Sequence, residues 1–212
     1  MSKKERLSAF NRGNILSAAK RLFLEKGITQ TTMDDISKEA DYSKSTVYVY
    51  FKSKDEIYDH IILEHYESLK AAISLALNHS PGFPDGYFAV CSALTDEYKT
   101  CPLFFESLTS EVKMPDDESE SVLAKIYKAG EEINGIIKDY LTDCAAKGYI
   151  SLDIPPLRAT FILWAGITGI ISVAYKKEAY ILKAMGIAKE HYMQDGFCLL
   201  LKSINGGRSS EN

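Results

Sequence analysis

Thr31-Thr32-Met33-Asp34-Asp35-Ile36-Ser37-Lys38-Glu39-Ala40-Asp41-Tyr42-Ser43-Lys44-Ser45-Thr46-Val47-Tyr48-Val49-Tyr50-Phe51 decides the fold. Thr32, with an acid three residues on at Asp35, is an N-cap signal, and Met33, Ile36 and Ala40 supply the apolar face of a short helix. Asp41-Tyr42-Ser43 breaks that helix, and Ser43 can cap a second one whose apolar positions, Val47 and Phe51, lie four apart. In front of them Ile15, Ala18/Ala19 and Leu22/Phe23 recur at three- and four-residue steps, with Arg12, Lys20, Arg21 and Glu25 between them and Gly27 as a stop. Two short helices joined by a three-residue turn behind an amphipathic helix form a helix-turn-helix pattern over about 32–51.

A plain three-helix bundle has the same periodicity, and the outward residues separate the two. With Val47 and Phe51 facing a core, Lys44, Ser45, Thr46, Tyr48, Val49 and Tyr50 point elsewhere. A solvent-facing helix gains little from two tyrosines and β-branched residues unless something docks there. Small polar and cationic groups at the helix start suit base edges in a major groove, while tyrosine hydroxyls and Lys54 suit phosphates.

Helical periodicity continues outward. Ser53-Lys54-Asp55-Glu56 starts a helix predicted through about Asn78, and Ser80 to Gly86 is a turn-rich break. Helices are expected near 87–99 and 103–112, followed by a solvated acidic stretch from Met114 to Glu120. Val122, Ile126, Ala129, Ile133, Ile137, Tyr140, Leu141 and Cys144 stripe a long helix that Gly148 ends. Pro155-Pro156 opens an apolar helix, and a last helix is expected near 187–204. Without strand alternation or an internal repeat, the fold class expected is all-α.

The 212 residues are 46% hydrophobic and 25% charged, a globular composition that excludes wholesale disorder. Ala159 to Tyr175 is seventeen uncharged residues, just short of the ~18–20 of a membrane span, and is expected to be a buried helix. The N-terminus has no apolar run behind its charges and is not expected to be a signal peptide. Four cysteines without Cys-x-x-Cys spacing fit reduced thiols in a cytoplasmic protein. Residues 1–54 hold eleven Lys and Arg against six Asp and Glu, net +5, and residues 55–212 hold fourteen against twenty-three, net −9. A small basic end on an acidic body suits a polyanion partner.

Ile15-Leu16-x-Ala18-Ala19-x-x-Leu22-Phe23-x-x-x-Gly27, then Thr31-Thr32-Met33-x-Asp35-Ile36, then Ser43-Lys44-x-Thr46-x-Tyr48-x-Tyr50-Phe51-x-Ser53-Lys54 resembles the tetracycline-repressor (TetR) family of transcriptional regulators. The resemblance implies a three-helix DNA-binding domain at 9–69, a helical effector-binding and dimerisation domain at 70–205, and a polar tail at 206–212. It implies that Thr32 anchors a phosphate, that Ser43, Lys44, Ser45 and Thr46 start the groove-reading helix, and that Tyr48 and Tyr50 hold the DNA backbone. Val49 would meet a thymine methyl and Lys54 a further phosphate. Two departures are Asp41, where the family usually has Gly, and Ser45, where it often has Gly or Pro; Asp tolerates a left-handed backbone.

The function expected from the resemblance is a dimeric repressor released from a palindromic double-stranded operator by a small, largely hydrophobic effector. The alternative is an effector-less architectural protein or activator of the same fold. Phe88, Phe104, Phe105, Tyr127, Tyr140, Phe161 and Trp164 are candidates for lining the effector site, with Tyr127, Tyr140 or Trp164 orienting the ligand. Ala165, Gly166, Gly169, Ser172 and Val173 give the apolar helix a face of small residues, expected to pack with the 187–204 helix against a two-fold mate. Glu106 is expected to be solvated, and His60 and Glu64, four apart, to be ordinary surface residues rather than metal ligands. With no phosphate loop, nucleophile elbow or paired carboxylates, neither catalysis nor a cofactor is expected.

Overall fold

The computed structural model describes residues 2–112 and 121–205; the acidic stretch 114–120 and the tail 206–212 lie outside the described residues. Among the described residues the fold is all-α, with ten helices and no strand. The chain divides into two units, Met1–Tyr66 with Val112–Tyr127 and Glu67–Glu111 with Lys128–Asn212.

The first unit is built on α1 (Lys3–Lys26), α2 (Met33–Glu39), α3 (Lys44–Tyr50) and the start of α4 (Lys54–His79). Its core is the apolar set expected from periodicity: Ile15, Ala18, Ala19, Phe23, Ile36, Val47, Phe51, Ile57 and Ile61 are all buried. α1 begins earlier than its apolar repeat, because Ser2 accepts from the Glu5 N–H at 3.2 Å while Glu5 accepts from the Ser2 N–H at 2.7 Å. Gly27 ends it at φ 82°, a conformation disfavoured with a Cβ. Asp41 sits in the turn at φ 58°, so the left-handed turn persists without glycine.

The second unit contains the rest of α4, α5 (Asp85–Thr100), α6 (Pro102–Leu108), most of α7 (Val122–Ala146), α8 (Pro156–Lys176), α9 (Glu178–Met185) and α10 (Lys189–Asn205). α6 stops four residues before its expected end at 112. α9 was not expected; it follows a charged break at Lys176-Lys177-Glu178 and buries Ile181, too short a pattern to register as a separate period.

α8 is long and apolar enough to cross a membrane, and it is buried along one side only rather than throughout as expected. Ala159, Leu163, Ile167, Ile171 and Ala174 are buried, and the hydroxyls of Thr160 and Thr168 donate back to the carbonyls of Pro156 and Trp164 at 3.0 and 2.6 Å. α8 lies against α10 through two glycines. A Cβ on Gly166 would stand 2.6 Å from Leu200 Cδ1, and one on Gly196 would stand 2.9 Å from Ile170 Cδ1. The Tyr87 hydroxyl, on α5, donates to the buried carbonyl of Phe197 on α10 at 2.9 Å.

Candidate nucleic-acid interface

α3 is set from both ends. The Ser43 hydroxyl accepts from the Thr46 N–H at 3.1 Å and lies 2.9 and 2.7 Å from the hydroxyl oxygens of Ser45 and Thr46. Val47 and Phe51 are buried, so Lys44, Ser45, Tyr48 and Val49 occupy the opposite, exposed face. Val49 is 78% exposed, an aliphatic side chain with no intramolecular packing to explain it. Lys44 pairs with Asp34 at 2.7 Å; that carboxylate raises the Lys44 pKa, and both side chains are more than half exposed. Such an exposed pair is weak because water screens it, so another anion can replace Asp34 easily.

The C-terminal end of α3 is held by α1. Asn11 donates to the Tyr50 hydroxyl at 2.9 Å and accepts from the Tyr42 hydroxyl at 2.9 Å. Tyr50 therefore receives a hydrogen bond and keeps its own proton for an outside acceptor. Arg12 donates to the Tyr50 carbonyl at 3.0 Å and covers the Phe51 ring at 4.4 Å. Its second nitrogen lies 3.0 Å from His60 Nε2; since guanidinium only donates, that nitrogen is the acceptor and His60 is neutral. Burial, then the Arg12 charge, lowers the His60 pKa. His60 is thus a half-buried partner of Arg12 rather than an ordinary surface residue. Sequence offered no signal for Asn11 or Arg12, whose partners lie 31–48 positions away.

Two expected phosphate ligands are committed internally. The Lys54 ammonium donates to the carbonyls of Ile28, Thr29 and Thr31 at 2.8, 3.1 and 3.0 Å, which spends all three of its protons on the loop between α1 and α2. The Thr32 N–H and hydroxyl both donate to Asp35 Oδ2, at 2.9 and 2.7 Å, so a carboxylate already stands where a phosphate was expected. Lys26, 2.8 Å from the same oxygen, and Thr32 hold the Asp35 pKa well below the usual carboxylate range.

The remaining candidates are dispersed. Phe104 and Phe105 are buried, and Phe88 is half-buried, edge-on to Tyr87. The Tyr140 hydroxyl donates to the Gly82 carbonyl at 3.2 Å, closing the 80–86 turn. Tyr127 belongs to the first unit, apart from the other six. Phe161 is 53% exposed on the outer face of α8. The half-buried Trp164 has its indole Nε1 out of solvent with no acceptor among the described residues. Ala165, Gly169 and Val173 are exposed, Ser172 is half-exposed, and Gly166 faces Leu200 of the same chain. Glu106 is exposed, 3.4 Å from Lys176. Among the described residues no three His, Cys, Asp or Glu side chains gather as a metal site.

Comparison with known proteins agrees with this geometry. The chain is 28% identical over 149 residues to YhgD of Bacillus subtilis, an uncharacterized HTH-type transcriptional regulator, covering 70% of this chain and 76% of that one. It is 36% identical over 66 residues to IcaR of Staphylococcus aureus, a negative transcriptional regulator of the biofilm operon icaADBC, covering 31% of this chain and 36% of IcaR. The fold matches that of the transcriptional regulator FadR from Bacillus subtilis in complex with stearoyl-CoA, with a TM-score of 0.68 at 17% identity over 90% of this chain and 98% of that one. Residues 15–61, which hold the core of the first unit and the whole outward face of α3, match the model of the bacterial regulatory proteins of the tetR family.

Proposed function

We propose that the chain is a homodimeric repressor that places the exposed face of α3 in the major groove of each half of a palindromic operator and leaves it when a small hydrophobic effector binds. The observation that carries this reading is the outward face of α3, where Lys44, Ser45, Tyr48 and Val49 stand together opposite the buried Val47 and Phe51. In this reading residues 9–69 are the DNA-binding part and 70–205 the effector-binding and dimerising part. The dimer is supported by an unpartnered stripe on α8: Leu157, Phe161, Ile162, Ala165, Gly169 and Val173 are exposed on one face. The effector is supported by the indole N–H of Trp164, a donor out of solvent with no acceptor among the described residues. IcaR is a negative regulator, and FadR of Bacillus subtilis binds stearoyl-CoA.

The test is selection of duplexes from a random library by the full chain, followed by affinity measurements on the selected site and its single-base variants. Lys44→Ala is expected to relax preference at one position per half-site, by the ~1–3 kcal/mol of a good bidentate base contact. Recovery of no palindrome, or a uniform loss across all variants, overturns the assignment of α3.

A further inference from the structure

The cations of the first unit are unevenly committed, and besides the isolated, exposed Lys38 and Lys52 the uncommitted ones cluster at the start of α1. Arg12, Lys20, Arg21, Lys26, Lys44 and Lys54 are each held by a named partner: Tyr50 and His60, His65, Glu39, Asp35, Asp34, and three loop carbonyls. Lys3, Lys4 and Arg6 have no ion-pair or hydrogen-bond partner among the described residues, and all three are exposed on the first turn of α1. Beside them Leu7 and Phe10 are 60% and 63% exposed. These turns precede the residues that match the family, 15–61. They contribute nothing to the core, which begins at Ile15.

We propose that the first two turns of α1 are a second DNA-contacting surface, in which Lys3, Lys4 and Arg6 meet backbone phosphates flanking the groove that α3 enters. The inference rests on the reading of α3 as the groove-entering helix. Continuity supports it: Asn11 and Arg12 grip the hydroxyl and carbonyl of Tyr50, the last residue of α3, so the helix immediately before Asn11 starts at the end of the recognition face. At ~1.5 Å per residue, Lys4 lies ~10 Å along the axis from Asn11. The major groove is ~12 Å wide, so a cation at that reach is in range of the strand bordering it. The attraction comes from the side chains, since Ser2 and Glu5 already occupy each other's backbone N–H groups at this end. Leu7 and Phe10 supply apolar ground for deoxyribose.

A lipid surface is the other partner a basic amphipathic turn can take, but an interfacial helix needs a well-segregated apolar face opposite its charges. Here the stripe after Leu7 and Phe10 continues as Gly13, Asn14 and Ser17, and the chain then turns its apolar residues inward.

The test combines Lys3→Ala, Lys4→Ala and Arg6→Ala in the full chain. Alanine favours helix and the three sites are exposed, so the variant is expected to melt at the wild-type temperature by circular dichroism. Affinity for a duplex selected by the wild type, and for a random duplex, is measured from about 50 to 200 mM salt. The slope of log K against log salt is expected to fall by about 2–3, at ~0.9 per phosphate contact, while the ratio of selected to random affinity holds. An unchanged slope with the ratio intact overturns this inference and leaves the reading of α3 standing. A wild type without preference for any duplex overturns both. Loss of binding to vesicles rich in phosphatidylglycerol, together with an unchanged DNA slope, overturns it in favour of a membrane.

Discussion

At the residue scale, a cation near a DNA-facing helix is not thereby a DNA ligand. Lys54 looks like a phosphate contact in sequence, yet its ammonium bridges three carbonyls of the loop from Ile28 to Thr31. Lys54→Ala should therefore act first on stability. Hydrogen bonds to charged groups contribute ~1.5–3 kcal/mol, and the first unit is expected to melt several degrees lower in circular dichroism. Normal melting combined with a reduced salt slope would return Lys54 to the DNA. His60 carries a pH dependence. Burial and Arg12 lower its folded pKa, so below the unfolded value of ~6.5 the unfolded chain binds the extra proton and stability falls with acidification until the folded pKa is passed. Comparing melts at neutral pH and near pH 5.5, the wild type is expected to lose more than His60→Gln. Equal losses would remove His60 as the source.

At the element scale, two glycines of α8 three residues apart have opposite surroundings. Gly166 lets α10 approach, since its Cβ would fall 2.6 Å from Leu200; Gly169 has nothing within 4 Å of its Cβ position. Gly166→Leu should overpack the α8–α10 contact and destabilise the fold by ~1–3 kcal/mol at every protein concentration. Gly169→Leu should leave the monomer's melting intact and, on the proposed dimer, shift the monomer–dimer equilibrium in sedimentation instead. A wild type that sediments as a monomer would remove the dimer assignment, and identical behaviour of the two variants would place Gly169 in a packed core.

At the scale of the whole molecule, the proposed function requires effector and operator to be linked through one equilibrium. Trp164 is the single tryptophan of the chain, so intrinsic fluorescence reports on the buried indole directly. Stearoyl-CoA, the ligand held by the Bacillus subtilis FadR, is a reasonable first probe. A true inducer is expected to quench or shift Trp164 emission, and to bind more weakly in the presence of operator by the factor, typically ~5–150-fold, by which it weakens the operator. Equal affinity with and without operator would show that the compound does not induce, whatever site it fills.

The sequence by itself determined the local structure of the first unit, because the relevant interactions span three or four residues. The Thr32–Asp35 box, the Ser43 cap, the pairing of Val47 with Phe51 and the left-handed turn at Asp41 are all properties of a short window. The same locality made the striped helices α7 and α8 legible and left the eight-residue α9 unseen. Only the tertiary structure decided what each polar group is committed to. Whether Lys54 faces a phosphate or a loop, whether His60 is exposed or neutral beneath Arg12, and whether Gly166 or Gly169 is open depend on partners 23–48 positions away. Periodicity says that a residue lies on a helix face; packing of the other helices says what stands opposite it.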